Sequence, residues 1–174
     1  SQIQIGGNTW ECISGWGHSP EHMALYSRNA NVLISGDMVL PKISTNVSVY
    51  AQEPEANALA LFMRSLKKFD VLPSDTLVLP SHGRPFKGLH TRTAQLLQHH
   101  EERMQEVLDA CRETPGSAHD MLKVIFKRPL DFHQTTFAIG ESVAHLHALW
   151  YEGKMKRLKD KEGIWRFQTL TQGI

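Results

Sequence analysis

The chain has 174 residues, 41% of them hydrophobic and 21% charged, with a formal net charge of +1 at pH 7. That is an ordinary soluble composition with room for a real core in one domain or two small ones, and so small a charge gives no global pull toward nucleic acid or an anionic membrane. Two cysteines, Cys12 and Cys111, exclude a disulfide framework, and no apolar run of roughly 18 residues marks a membrane span. In chain order, the first apolar run, Trp10 to Gly17, reads as a strand that ends at His18. His22 to Arg28 reads as a second strand, and Asn29-Ala30-Asn31 as a tight turn into a third, which ends at Asp37. From Glu55 to Phe69, residues Ala58, Leu59, Leu61, Phe62, Leu66 and Phe69 recur at helical spacing after Pro54. Pro73-Ser74-Asp75 leads into a fourth strand that delivers His82. A long amphipathic helix is expected from about Arg92 to Arg112, with Leu96, Leu97, Met104, Val107, Leu108 and Cys111 on its apolar side.

Thr114-Pro115-Gly116-Ser117 is the strongest punctuation in the chain and predicts a boundary between residues 1–114 and 115–174. Beyond it the pattern predicts a short helix over 118–127, a second helical segment over 131–136 and a third over 137–152, stopped by Gly153. Two strands, 155–158 and 164–170, then flank Asp160-Lys161-Glu162-Gly163. Three helices and a hairpin make a winged-helix-like arrangement. Its would-be recognition helix, 137–152, carries no Lys or Arg and two Glu, the wrong chemistry for reading bases between phosphates. The cations Lys154, Lys156, Arg157, Lys159, Lys161 and Arg166 read as a solvated wing.

His18, Asp37 and His82 share one grammar: each closes an apolar strand-like run and has glycine directly beside it. Side chains at the ends of neighbouring strands can converge on a point, and imidazole plus carboxylate is the donor set of a hydrolytic zinc site.

The strings Gly17-His18-Ser19-Pro20-Glu21-His22, Ser35-Gly36-Asp37 and Pro80-Ser81-His82-Gly83 resemble, in order and spacing, the later metal-binding motifs of the metallo-β-lactamase superfamily. The region after Pro115 is similar to the small C-terminal domain of one branch of that superfamily, with endoribonuclease-like and acyl-hydrolase-like members. The resemblance implies an α+β fold: the C-terminal half of an αββα metallo-β-lactamase sandwich, followed by a small winged-helix-like domain. It implies that His18 binds a first zinc, His82 a second, and that Asp37 bridges them. The implied activity is hydrolysis of an ester, thioester or phosphodiester by a metal-activated hydroxide. His22 would then be structural, packed behind the loop and hydrogen-bonded to backbone. Ser44, Asn46 and His90 are the candidates for a substrate-pocket wall.

The superfamily's first motif, His-x-His-x-Asp-His, is absent. His145-Leu146-His147 is the nearest string, but in a helix positions i and i+2 point to nearly opposite faces. The chain therefore resembles the C-terminal part of a dinuclear zinc hydrolase. By itself it is expected to hold zinc weakly or not at all, to carry no catalytic residue of its own and to be inactive. An apolar sheet face left bare predicts a homo-oligomer. The remaining expectations are a small-molecule or acyl substrate, no membrane partner and a cytoplasmic location. The alternative is a non-catalytic winged-helix binding module with weak nucleic-acid affinity.

Overall fold

The computed structural model describes residues 1–170. Residues 171–174, the end of the 115–174 segment, lie outside the described residues. Five strands form one sheet in the order β1 (Gln2–Ile5), β2 (Asn8–Gly15), β3 (His22–Ser27), β4 (Val32–Gly36) and β5 (Leu77–Pro80). The first four pair antiparallel in succession, and β5 joins β4 in parallel. Strands β2, β4 and β5 therefore run the same way, and their C-terminal ends lie along one edge of the sheet. Strand β1 is not among the predicted elements, although the turn that follows it carries a glycine pair. Gly6 and Gly7 both take positive φ, the conformation a tight hairpin demands, and the hairpin pairs Ile3 with Trp10.

Strand alternation sorts the sheet residues into two faces. Ala24, Tyr26, Leu33, Ser35 and Val78 fill one face and are buried. The register Cys12↔Leu25↔Ile34↔Leu79 belongs to the other, which is also apolar. That second face is incompletely covered, with Ile3 41%, Met23 43% and Ile34 37% exposed. A sheet apolar on both sides is one built to be covered on both sides.

Helix α1 (Ala58–Leu66) runs into a 3-10 turn (Lys67–Val71), and Leu59, Phe62, Leu66 and Phe69 are buried along them. Helix α2 (Leu89–Ala110) starts directly after Gly88, whose φ of +91° ends the preceding loop.

The chain divides into two compact units, residues 1–45 with 60–98, and 46–59 with 99 onward. This division falls inside α1 and α2. Segment 46–59 and the second half of α2 belong with the C-terminal elements; Val49, for instance, donates its N–H to the Gly140 carbonyl at 3.1 Å. The second unit contains α3 (Ala118–Ile125), α4 (Phe132–Tyr151) and the antiparallel pair β6 (Met155–Lys159) and β7 (Trp165–Thr169). Reciprocal capping boxes start both helices, Ser117 with Asp120 and Asp131 with Gln134.

Here the structure corrects one expectation: segments 131–136 and 137–152 are a single helix, α4. Nothing at Thr136-Phe137 breaks the backbone, and Gly140 in its middle is where a Cβ would come within 2.7 Å of Ser48 Cβ. Two helices, not three, lie between Pro115 and the hairpin. Among the described residues no helix is long and apolar enough to cross a membrane.

Candidate functional site

Three loops meet at the C-terminal edge of the sheet. His18 lies in the loop from β2 to β3, Asp37 directly follows β4, and His82 follows β5 by two residues. The parallel pairing of β4 with β5 brings Gly36 opposite Pro80, and Ser81 donates its backbone N–H to the Gly36 carbonyl at 3.1 Å. The result is a carboxylate between two imidazoles. His18 Nε2 stands 3.3 Å from Asp37 Oδ2, and His82 Nε2 stands 3.5 Å from Asp37 Oδ1.

Asp37 is held from several sides. Ser81 Oγ donates to its Oδ1, Thr45 Oγ1 donates to its backbone carbonyl, and its own N–H donates to His22 Nε2 at 3.3 Å. The Ser81 hydrogen bond holds the Asp37 carboxyl below the usual carboxylate range, opposed by partial burial and assisted by His18 and His82. Burial first, and then the charge of His18, lowers the His22 pKa. His22 is thus a neutral imidazole whose Nε2 accepts, which leaves its proton on the buried Nδ1. Gly36 makes this contact possible: with φ +54° and no Cβ it admits His22 Nε2 to a point 2.3 Å from where a Cβ would stand.

Whether this donor set fits a metal can be tested on its spacing. Two ligands of tetrahedral zinc, each about 2.1 Å from the ion, lie about 3.4 Å apart. Both nitrogen–oxygen distances match that edge, and they do so on opposite oxygens of one carboxylate. The kind and spacing of the donors therefore suit a metal ion beside either imidazole. Their number does not close either position, for each pair supplies only two donors. Among the described residues no group of three or more His, Cys, Asp or Glu side chains is arranged to hold a metal ion.

The pocket candidates fare differently. A cavity of about 390 Å3 opens beside His82, between residues 41–43 and 82–86. Ser44, Asn46 and His90 are not part of its lining. Asn46 is engaged within the second unit, where its Oδ1 accepts from Ser48 Oγ at 2.7 Å and its Nδ2 donates to Glu141 Oε2 at 3.5 Å. His90 Nε2 is buried without a hydrogen-bond partner. Ser44 is half-buried in the loop that Arg92 pins. Arg92 Nε donates to the Leu40 carbonyl at 2.6 Å and Nη2 to the Ile43 carbonyl at 2.9 Å. Ser81, Thr45 and Arg92 escaped the sequence reading. Only Ser81, adjacent to a candidate ligand, had a local signal; the other two act through folds of the chain that no short motif records.

His145 and His147 face different partners, as their spacing requires. His145 Nδ1 donates to the Glu141 carbonyl at 2.8 Å, whereas His147 Nδ1 donates to the Ala56 carbonyl at 3.1 Å.

Comparison with known proteins is consistent across sequence and structure. Residues 104–170 match the family described as "Metallo-beta-lactamase-like, C-terminal domain". The chain is 24% identical over 144 residues to the "Probable metallo-hydrolase YqjP" of Bacillus subtilis (strain 168), covering 80% of this chain and 44% of the relative. A beta-lactamase domain protein from Burkholderia ambifaria superposes with a TM-score of 0.95 at 52% identity, over 98% of this chain and 50% of that one. A metallo-beta-lactamase family protein from Thermus thermophilus gives 0.84 at 28% identity, over 98% and 52%. The chain thus spans about half the length of these relatives, and its mixed α+β structure matches the C-terminal portion of the fold they share.

Proposed function

We propose that this chain, a metallo-β-lactamase-like protein by sequence and fold, supplies one side of the active site of a dinuclear zinc hydrolase acting on an ester, thioester or phosphodiester. The observation that carries the reading is Asp37, with one imidazole at each of its two oxygens. In this reading His18, Asp37 and His82 would hold the metal from this side of the site. When bound, zinc lowers the pKa of a coordinated water to about 7 and polarises the scissile carbonyl or phosphoryl group. The chain's own residues prepare the edge for that chemistry. Ser81 keeps Asp37 ionised, while His22 and Thr45 fix the backbone on both sides of it. Remaining donors would come from chain equivalent to the half that longer relatives carry, and this chain alone would bind zinc weakly and not turn over.

The partly bare second face of the sheet supports the same reading. Further chain of that kind, or a second copy, would cover Ile3, Met23 and Ile34. The C-terminal elements, read as winged-helix-like, fit a packing role better than a groove-reading one. Ala144 to Leu149 are all buried, so that half of α4 offers no free face to nucleic acid.

The test is hydrolysis by zinc-loaded protein in which this chain is joined to the half its relatives carry, assayed against thioester, lactone and RNA panels. Turnover of one class, lost by at least a hundredfold in Asp37→Ala, is expected. An Asp37→Ala variant as active as wild type would remove the reading.

A further inference from the structure

The cavity beside His82 has a composition that selects a ligand. Its lining combines the apolar Pro41, Ile43, Pro85 and Phe86 with two cations, Lys42 and Arg84, from different loops. Both cations are exposed, and among the described residues no hydrogen bond or ion pair occupies either. No Asp or Glu lines the cavity. His82 belongs to the lining while its Nε2 faces Asp37 Oδ1, so the cavity is continuous with the imidazole–carboxylate edge.

The wall is built rather than incidental. Gly83, at φ +92°, is where a Cβ would come within 2.7 Å of Pro41 Cγ, so the two loops touch through the missing side chain. Arg92 ties the far side of the 41–43 loop by its bonds to the Leu40 and Ile43 carbonyls. At about 30 Å3 per water, 390 Å3 corresponds to roughly a dozen waters, room for a small ligand.

The geometry points to a binding site for an amphiphilic anion: a short alkyl or acyl body against Ile43, Pro85 and Phe86, and a carboxylate or phosphate between Lys42 and Arg84. This rests on the hydrolase reading for its meaning, since it would make the substrate an ester or thioester with an acidic group a few carbons from the scissile bond. Like-charged rims attract and orient an anion at small cost in affinity for the apolar body, and the attraction weakens with salt.

Binding can be tested on this chain without metal or turnover. Hexanoate, hexyl phosphate, hexanol and hexylammonium are titrated separately while the backbone amides of residues 41–43 and 82–86 are followed by NMR. Both anions should shift those amides and bind at least tenfold more tightly than hexanol, with hexylammonium weakest. A Lys42→Glu, Arg84→Glu double variant should lose anion binding by at least tenfold and gain hexylammonium binding. Either anion alone binding would retain the site and fix the acid group. Hexanol binding as tightly as hexanoate, a double variant that still binds the anions, or shifts confined to other residues would overturn the inference. Anion binding in a protein that hydrolyses nothing would leave this site standing and remove the hydrolase reading. Hydrolysis indifferent to charge would do the reverse.

Discussion

Glu141 offers the most quantitative test of the second unit. It lies on the buried side of α4, and burial pushes its carboxyl up to about 7, only partly offset by the Asn46 amide. The unfolded chain ionises near the ordinary value of 4.5, so between about pH 4.5 and 7 the folded state holds a proton that the unfolded state has released. Stability must therefore fall as pH rises through this window, the opposite of the usual paired carboxylate. A gap of about 2.5 between the folded and unfolded values, at about 1.36 kcal/mol per pH unit, gives a penalty of about 3 kcal/mol once pH exceeds 7. Glu141→Gln keeps an amide oxygen for Asn46 and removes the penalty. Urea unfolding should show the variant about 3 kcal/mol more stable than wild type at pH 8 and within about 1 kcal/mol of it at pH 5. Equal differences at the two pH values, or a variant less stable at pH 8, would refute the reasoning.

Other outcomes follow from the same contacts. His145 donates Nδ1–H to the Glu141 carbonyl and leaves Nε2 to accept from His100 Nδ1, 3.3 Å away; burial lowers the pair to about 4 and about 3. Both groups stay neutral in the fold, so stability is lost as pH falls from 6.5 through those values, by about 3 kcal/mol for His145 alone. His145→Leu should flatten the acid limb of a pH-dependent unfolding curve. Gly36→Ala places a Cβ on His22 Nε2 at a left-handed φ. It should cost about 2 kcal/mol or more in urea unfolding and broaden the Asp37 amide resonance. Arg92→Met removes two charged hydrogen bonds from the 40–43 loop. We expect a loss of about 2 kcal/mol and at least tenfold faster hydrogen exchange at residues 41–45.

The site was legible in the sequence to the extent that strand ends are. A strand announces itself by apolar alternation, and the residue after its last apolar position is thereby located. His18, Asp37 and His82 could be read as a set before any coordinates, and the sheet order brings them to one edge. What supports them was not legible. Thr45 reaches Asp37 across eight residues and Arg92 reaches Leu40 across 52, distances at which no short-range pattern survives. Asn46 follows the Asp37 loop, and one of its partners, Glu141, lies 95 residues on. The split of α4 into two segments gives too little weight to the capping box at Asp131, which sets a helix going with nothing to stop it before Glu152. Strand β1 was missed because four residues carry too little periodicity, even with Gly6-Gly7 marking the turn.

On the proposed reading His18, Asp37 and His82 are metal-binding donors. Zinc titrated into the 15N-labelled chain, with imidazole nitrogens read by long-range NMR, tests it most directly. Weak, saturable shifts of Nε2 in His18 and His82 are expected, with His22 and His145 unmoved and both shifts lost in Asp37→Ala. Zinc that leaves His18 and His82 untouched, or that moves them equally with Asp37 removed, would contradict it.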